Sequence, residues 1–362
     1  MPDDIHVHYM KMALSLACKG IGNVSPNPMV GAVLVKRDKI LSSGFHAHYG
    51  QSHAEVRAIE AAKESVKGAT LYCTLEPCVH SDKQTPPCAQ RLVCEGIGKV
   101  VIASIDPNPK VKGKGIALLR QSGIEVVYGV LAAENEELNR FYFKYMSRNL
   151  PYVTLKIAQT IDGKIAAQKG SQTWITSVRS RQLVHRLRAE YDSVLVGSNT
   201  IRIDNPVLTV HKKNGRNPIR IIIDGKLKLN PTYNVFQNTG RARTVLMAAV
   251  AKSNKTRIDI FKNQGCQVMQ LAASPAGWIP MKTILKKLAA EKITSVLVEG
   301  GQHIFSQFIR HDLVDELKVF IAPQIWGHGV PSIVIEPLYK IRQWHLHAQQ
   351  NIMGDLLLEY RR

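Results

Sequence analysis

One histidine and two cysteines, each with a fixed companion, constrain this chain more than any other feature. They occur as His53-Ala54-Glu55, Glu76-Pro77-Cys78 and Pro86-Pro87-Cys88. A neutral imidazole and two thiolates form a three-ligand site for one zinc ion. Structural zinc sites are closed by four protein ligands, whereas catalytic ones keep a position open for water. Glu55, two residues after the histidine, is then the natural proton carrier. The alternative is a structural zinc knuckle closed by His80 or Cys73, a binding module without catalysis. Any fold for this chain must bring the three pieces to one point.

The surrounding pattern says how. Tyr9, Met12, Ala13, Leu16 and Ala17 recur at helical spacing on one apolar face, and Gly20 stops that helix. Pro26 and Pro28 fix the backbone around Asn27 and exclude helix there. A strand over 30–35, a turn over 36–39 and a return strand over 40–45 follow. His53 to Ser65 reads as a helix, with His53 and Glu55 in its first turn. Thr70 to Leu75 is a strand that delivers Cys78, and Cys88 opens another helix. A helix N-terminus lowers a thiol pKa and favours the thiolate a metal needs. Strand 100–105, helix 114–121, strand 124–129 and helix 131–146 continue the alternation, which implies a sheet covered by helices. Zinc deaminases carry the pattern H-x-E…P-C-x-x-C, with the glutamate as general acid/base rather than ligand. Here nine residues, not two, separate the cysteines.

At 362 residues the chain is too long for one ordinary core, so two domains are expected. Arg148-Asn149-Leu150-Pro151 breaks the last helix and sets the boundary, giving domains 1–148 and 149–362. No apolar run approaches the ~20 residues that span a bilayer, and the start of the chain lacks signal-peptide features. A cytoplasmic protein without membrane contact is expected. Six cysteines, five of them before residue 95, suit metal chemistry in a reducing compartment better than disulfides. The net charge of +20 divides into +4 over 1–148 and +16 over 149–362. That basic excess suits an anionic small molecule or nucleic acid. The few aromatics are not interleaved with the basic residues, which disfavours single-strand stacking.

The second half alternates strands and helices again. Strands are expected at 152–158, 193–197, 218–223, 244–250, 266–271, 295–298, 317–322 and 356–360. Helices are expected after Ser177 and over 281–290 and 304–313. Val298-Glu299-Gly300-Gly301 ends a strand in paired glycines before a helix, where backbone amides can hold a phosphate. Nothing in these residues alone identifies a reductase.

Taken together, these motifs resemble the bifunctional riboflavin-biosynthesis deaminase–reductase family over nearly the whole chain. The first-half marks are Pro26-Asn27-Pro28-Met29-Val30-Gly31, His53-Ala54-Glu55, Glu76-Pro77-Cys78-Val79-His80, Thr85-Pro86-Pro87-Cys88 and Asp106-Pro107-Asn108-Pro109 with Gly113-Lys114-Gly115. The second-half marks include Leu155-Lys156, Ile161-Asp162-Gly163-Lys164, Trp174-Ile175-Thr176, Asp204-Asn205-Pro206, Leu208-Thr209-Val210 and Glu299-Gly300-Gly301.

The resemblance implies an α/β chain: an N-terminal cytidine-deaminase-like α/β/α sandwich and a C-terminal dihydrofolate-reductase-like α/β domain. It implies zinc on His53, Cys78 and Cys88, and Glu55 as catalytic acid/base. It implies NADPH contacts at Ala158, Trp174, Thr200, Asp204 and Gly301. Substrate contacts are implied at Asn27, His80, Gln172, Arg188, Leu208, His211 and Glu299, with Arg188 as a phosphate partner. The substrates would be small phosphorylated pyrimidines rather than nucleic acid, and a homo-oligomer is expected. Two departures stand out. The family has eight residues between the cysteines, and it has arginine where this chain has His211. The competing reading is a zinc deaminase acting on RNA, with a basic RNA-binding second half.

Overall fold

The computed structural model describes residues 4–79, 87–171, 173–210, 216–237, 239–249, 255–274, 278–335 and 343–362. The chain divides into two compact units, Met1–Asn149 and Leu150–Arg362.

The first unit holds β1 (Gly31–Lys36), β2 (Lys39–Phe45), β3 (Thr70–Leu75), β4 (Lys99–Ser104) and β5 (Glu125–Tyr128). Its helices are α1 (Asp4–Ala17), α2 (Ala54–Ala61), α3 (Cys88–Cys94), α4 (Lys114–Gln121), α5 (Ala132–Leu138) and α6 (Arg140–Arg148). The sheet order is β2-β1-β3-β4-β5. β1 is antiparallel to both β2 and β3, and β3, β4 and β5 run parallel.

Side chains alternate across a strand, so both faces must be covered when every residue is apolar. In β1, Ala32 and Leu34 pack with Ala54 and Ala58 of α2, while Val33 and Val35 pack with Tyr9, Met10 and Ala13 of α1. The result is the three-layer sandwich.

Two helices differ from the sequence pattern. α2 ends at Ala61, because Ala62 is already extended (φ −71°, ψ 131°). The expected helix over 131–146 is broken at Asn139. Its side chain accepts from Met29 N (2.7 Å) and donates to Met29 O (2.9 Å). That tertiary pair ties the segment after Asn27 to the break between α5 and α6.

The second unit holds β6 (Tyr152–Thr160), β7 (Lys164–Ala166), β8 (Ser193–Gly197), β9 (Ile219–Ile223), β10 (Thr244–Ala248) and β11 (Gln267–Gln270). β12 (Ser295–Gly300), β13 (Glu316–Ala322), β14 (Val330–Pro331), β15 (His345–Ile352) and β16 (Asp355–Arg361) follow. Its helices are α7 (Val178–Glu190), α8 (Ser198–Asp204), α9 (Asn234–Gln237), α10 (Lys255–Asn263), α11 (Met281–Ala290) and α12 (Gln302–Arg310).

Nine strands form one sheet in the order β11-β10-β9-β8-β12-β6-β13-β16-β15. It is parallel except where β16 joins β13 and β15. Helices α11 and α12 cover one face, packing on Val153, Leu155, Val296 and Val298. Ile201, Phe236 and Phe261, from α8, α9 and α10, cover the other, packing on Val194, Val196, Ile222 and Leu246. β15 has no counterpart in the sequence pattern: seven of its eight residues are exposed, so it carries no apolar alternation. No helix among the described residues is long and apolar enough to cross a membrane.

Candidate active sites

In the first unit two strand–helix junctions converge, β2 to α2 and β3 to α3. β3 ends at Leu75 and passes the chain to Glu76-Pro77-Cys78. His53 is the extended residue before α2 (φ −69°, ψ 166°), and Cys88 is the first residue of α3. His53 Nδ1 lies 3.2 Å from Cys88 Sγ and 3.6 Å from Cys78 Sγ. The three donor atoms all lie within 4.8 Å of one another, the one such group among the described residues.

Nitrogen and sulfur ligands on one tetrahedral zinc are about 3.5 Å apart, given bonds of ~2.0–2.1 and ~2.3 Å. The donor set and its spacing therefore fit zinc. Cys73 does not close the site, since its thiol donates to Leu75 O (2.9 Å) and it lies outside the group. A hydrogen bond from Cys88, working against burial, lowers the Cys78 thiol pKa; the same contact raises that of Cys88.

Glu55 lies in the first turn of α2 and is 4% exposed. Burial pushes its carboxyl up, only partly offset by His53. A carboxyl shifted this way holds its proton closer to neutral pH, as a general acid/base needs. Glu55 and Cys78 share a small pocket with Asn27, His46, Asp106 and Tyr142. His46 bridges Ser52 O (3.3 Å) and Asn27 Nδ2 (3.2 Å) through its two ring nitrogens. With Nδ1 against a carbonyl, Nδ1 carries the proton and Nε2 accepts from the Asn27 amide.

The Glu76 carboxylate faces backbone instead. One oxygen accepts from Asp106 N (3.2 Å) and Gly113 N (3.0 Å), the other from Gly115 N (2.8 Å) and Ile116 N (3.2 Å). It thereby caps the N-terminus of α4 from two residues before Cys78. Gly115 is required there, because a Cβ would overlap Pro77 O. Asp106 accepts from Tyr142 OH (2.9 Å) and Asn108 N (2.8 Å). Sequence reasoning missed the capping role of Glu76, and no local signal marks it. His80 and the stretch over 80–86, with the lengthened loop, lie outside the described residues.

The second unit has a cleft of about 1740 Å³ at the C-terminal ends of β8, β9 and β12, beside β6. In parallel sheets ligands bind at this edge. Ala158, Trp174, Thr200, Asp204, Gly301, Arg188, Leu208 and Glu299 all line it. Gln172 and His211 lie outside the described residues.

Gly300 has φ +150°, and a Cβ there would meet Thr200 Oγ1 at 3.3 Å. The glycine pair thus lets backbone and ligand approach closely at the start of α12. Arg188 is forked onto Glu299, with Nε and Nη2 donating to its two oxygens (2.6 and 2.7 Å), while Nη1 donates to Thr209 O (3.2 Å). Its charge is balanced by Glu299, so the pair orients a ligand more than it supplies net charge. Lys156 also lines the cleft, given no role from the sequence. Burial lowers its pKa, while Glu299 and Asp204 favour its charge. A lysine as the one charged residue of a largely buried strand was the available signal.

A His-Cys-Cys donor cluster beside a buried carboxylate fits a hydrolytic zinc deaminase, and the second unit adds a ligand cleft at the C-terminal edge of a parallel sheet. Comparisons with known proteins agree and narrow this reading. Residues 3–104 match the cytidine and deoxycytidylate deaminase zinc-binding region, and residues 151–358 match the RibD C-terminal domain.

The riboflavin biosynthesis protein RibD of Aquifex aeolicus (strain VF5) is 43% identical, with 99% of each chain covered. That of Bacillus amyloliquefaciens is 42% identical over 90% of this chain and 87% of its own. Among solved structures, Acinetobacter baumannii RibD (form 1) is 33% identical with a TM-score of 0.89, covering 98% of each chain. The diaminohydroxyphosphoribosylaminopyrimidine deaminase/5-amino-6-(5-phosphoribosylamino)uracil reductase of Thermotoga maritima is 37% identical, with a TM-score of 0.85 and 99% of each chain covered.

The chain belongs to the RibD family, the bifunctional deaminase–reductases of riboflavin biosynthesis. The RNA-binding reading of the second half is not favoured, because that half matches a reductase domain.

Proposed function

We propose that residues 1–148 deaminate a phosphorylated diaminopyrimidinone and that residues 149–362 then reduce its ribosyl group to ribityl with NADPH. The observation that carries this reading is Glu55, buried beside three metal-spaced donors. His53, Cys78 and Cys88 would hold one zinc ion. Zinc in such a site acidifies water toward neutral pH. Glu55 takes a proton from the attacking water and returns it to the departing amino group, which leaves as ammonia. Asn27, fixed through His46, would hold the pyrimidine edge, and His80 is read as a further substrate contact from the family motif alone.

In the second unit NADPH would lie along Ala158, Trp174, Thr200, Asp204 and the amides after Gly301. It supplies the hydrogen and two electrons that convert the ribosyl carbon. Lys156, at the cleft wall near Glu299 and Asp204, is placed to deliver the proton that the ring oxygen takes as the sugar opens. Arg188, Leu208 and Glu299 would orient the substrate, together with Gln172 and His211.

We read the enzyme as cytoplasmic, acting on small molecules and not on nucleic acid. We also read it as a homo-oligomer, since β15 leaves an exposed edge on the nine-stranded sheet. The test is to follow ammonia release and loss of NADPH absorbance when purified protein meets substrate. Ammonia without NADPH oxidation would leave the deaminase and remove the reductase; neither would remove both.

A further inference from the structure

Trp278 is 60% exposed yet lies in the wall of the second-unit cleft. Its backbone is held in place: Ser274 N donates to Trp278 O (2.8 Å), and Trp278 N donates to Ser274 Oγ (3.4 Å). Its ring packs on His303, with centroids 4.6 Å apart and a tilt of 40°. His303 is the second residue of α12, one position beyond the first amide after Gly301. α12 buries Ile304, Phe305, Phe308 and Ile309 against the sheet. His303, Gln307 and Arg310 fall at i, i+4 and i+7, and all three line the cleft.

α12 thus has free-facing first-turn amides and His303 under the Trp278 ring at its start, and on the same face the cation Arg310 at its last residue. Burial, and then Arg310, lower the His303 pKa and favour a neutral ring. A flat neutral group beside a phosphate is the description of a nucleotide base, and stacking is how proteins hold one without reading its edge.

We propose that Trp278, supported by His303, stacks the purine base of the dinucleotide cofactor. This rests on the reading that the cleft takes NADPH, and it assigns the adenosine end to residues that the family motifs do not include.

The probes are NADPH, 2′,5′-ADP for the adenosine half and reduced nicotinamide mononucleotide for the other half. Each is titrated calorimetrically into the full chain, its Trp278→Leu variant and its Trp278→Phe variant. Trp278→Leu should weaken NADPH and 2′,5′-ADP by the same factor, about tenfold, the usual order for losing one stacked base. Binding of the reduced mononucleotide should not change, which also reports an intact fold. Trp278→Phe should keep most of the affinity. 2′,5′-ADP should quench tryptophan emission in the wild type and not in Trp278→Phe, although that variant still binds. If the wild type binds NADPH and Trp278→Leu binds it equally well, the shelf is overturned and the cofactor reading stands. If the wild type binds no NADPH, the cofactor reading falls and the shelf with it.

Discussion

Glu76→Gln is the sharpest test of how the deaminase site is built. The change keeps size and shape but turns one carboxylate oxygen into an NH₂ group. The remaining oxygen can still serve two of the four amides, at best Gly115 N and Ile116 N. Asp106 N and Gly113 N would then face a donor. Hydrogen bonds to charged groups contribute about 1.5–3 kcal/mol each, and Glu76 is 3% exposed, so water cannot substitute. Losing two gives about 3–6 kcal/mol, a large fraction of the ~5–15 kcal/mol that holds a domain folded. Urea titration of the full chain, monitored by circular dichroism, should show an early transition for the first unit. Metal analysis of the remaining folded protein should show reduced zinc, because Cys78 lies two residues beyond the lost cap. A variant within about 1 kcal/mol of wild type would refute the capping role, since that is the size of one ordinary neutral hydrogen bond.

Three other outcomes are expected. Glu55→Gln should lower deamination by about 10²–10⁴-fold, the usual share of a general acid/base, while reduction of already deaminated substrate is unchanged; loss of both activities in a folded protein would mean the sites are not independent. Cys88→Ser should abolish stoichiometric zinc in metal analysis, and undiminished zinc would remove Cys88 from the ligand set. Burial opposes the Glu299 charge, but Arg188 outweighs it and holds the carboxyl below its ordinary value of 4.5. The pair therefore stabilises the second unit at and above that value and loses its contribution as pH falls through the lower folded value. Glu299→Gln should remove this acid dependence from urea midpoints, and an identical pH profile for both proteins would show that the pair contributes nothing.

His53, Cys78 and Cys88 stood out in the chain because each belongs to a short motif at a strand–helix junction, and the fold brings their donor atoms within 4.8 Å of one another. Junctions of this kind are read from local periodicity and proline punctuation, and α4, α11, β3 and β8 have the bounds expected. β15 was not legible, being a polar edge strand with no core face to impose alternation. The short α8 and α9 were not either, since few turns leave little periodicity.

Side-chain partners far apart in sequence were beyond local reading altogether. Arg188 and Glu299 meet across 111 residues, and Asn139 meets Met29 across 110. The family resemblance points Arg188 at a substrate phosphate, yet in the fold its guanidinium is committed to Glu299. The sequence by itself marked most strands and helices and singled out His53, Glu55, Cys78 and Cys88, because these follow from short-range pattern and donor chemistry. Tertiary structure decided that β12 lies between β8 and β6, which brings Glu299 and the glycine pair to the same cleft as Lys156. It also decided that the Glu76 carboxylate accepts from the backbone at the start of α4. Strand order and buried polar pairing depend on which distant surfaces pack together, and no periodicity within one segment encodes its partner.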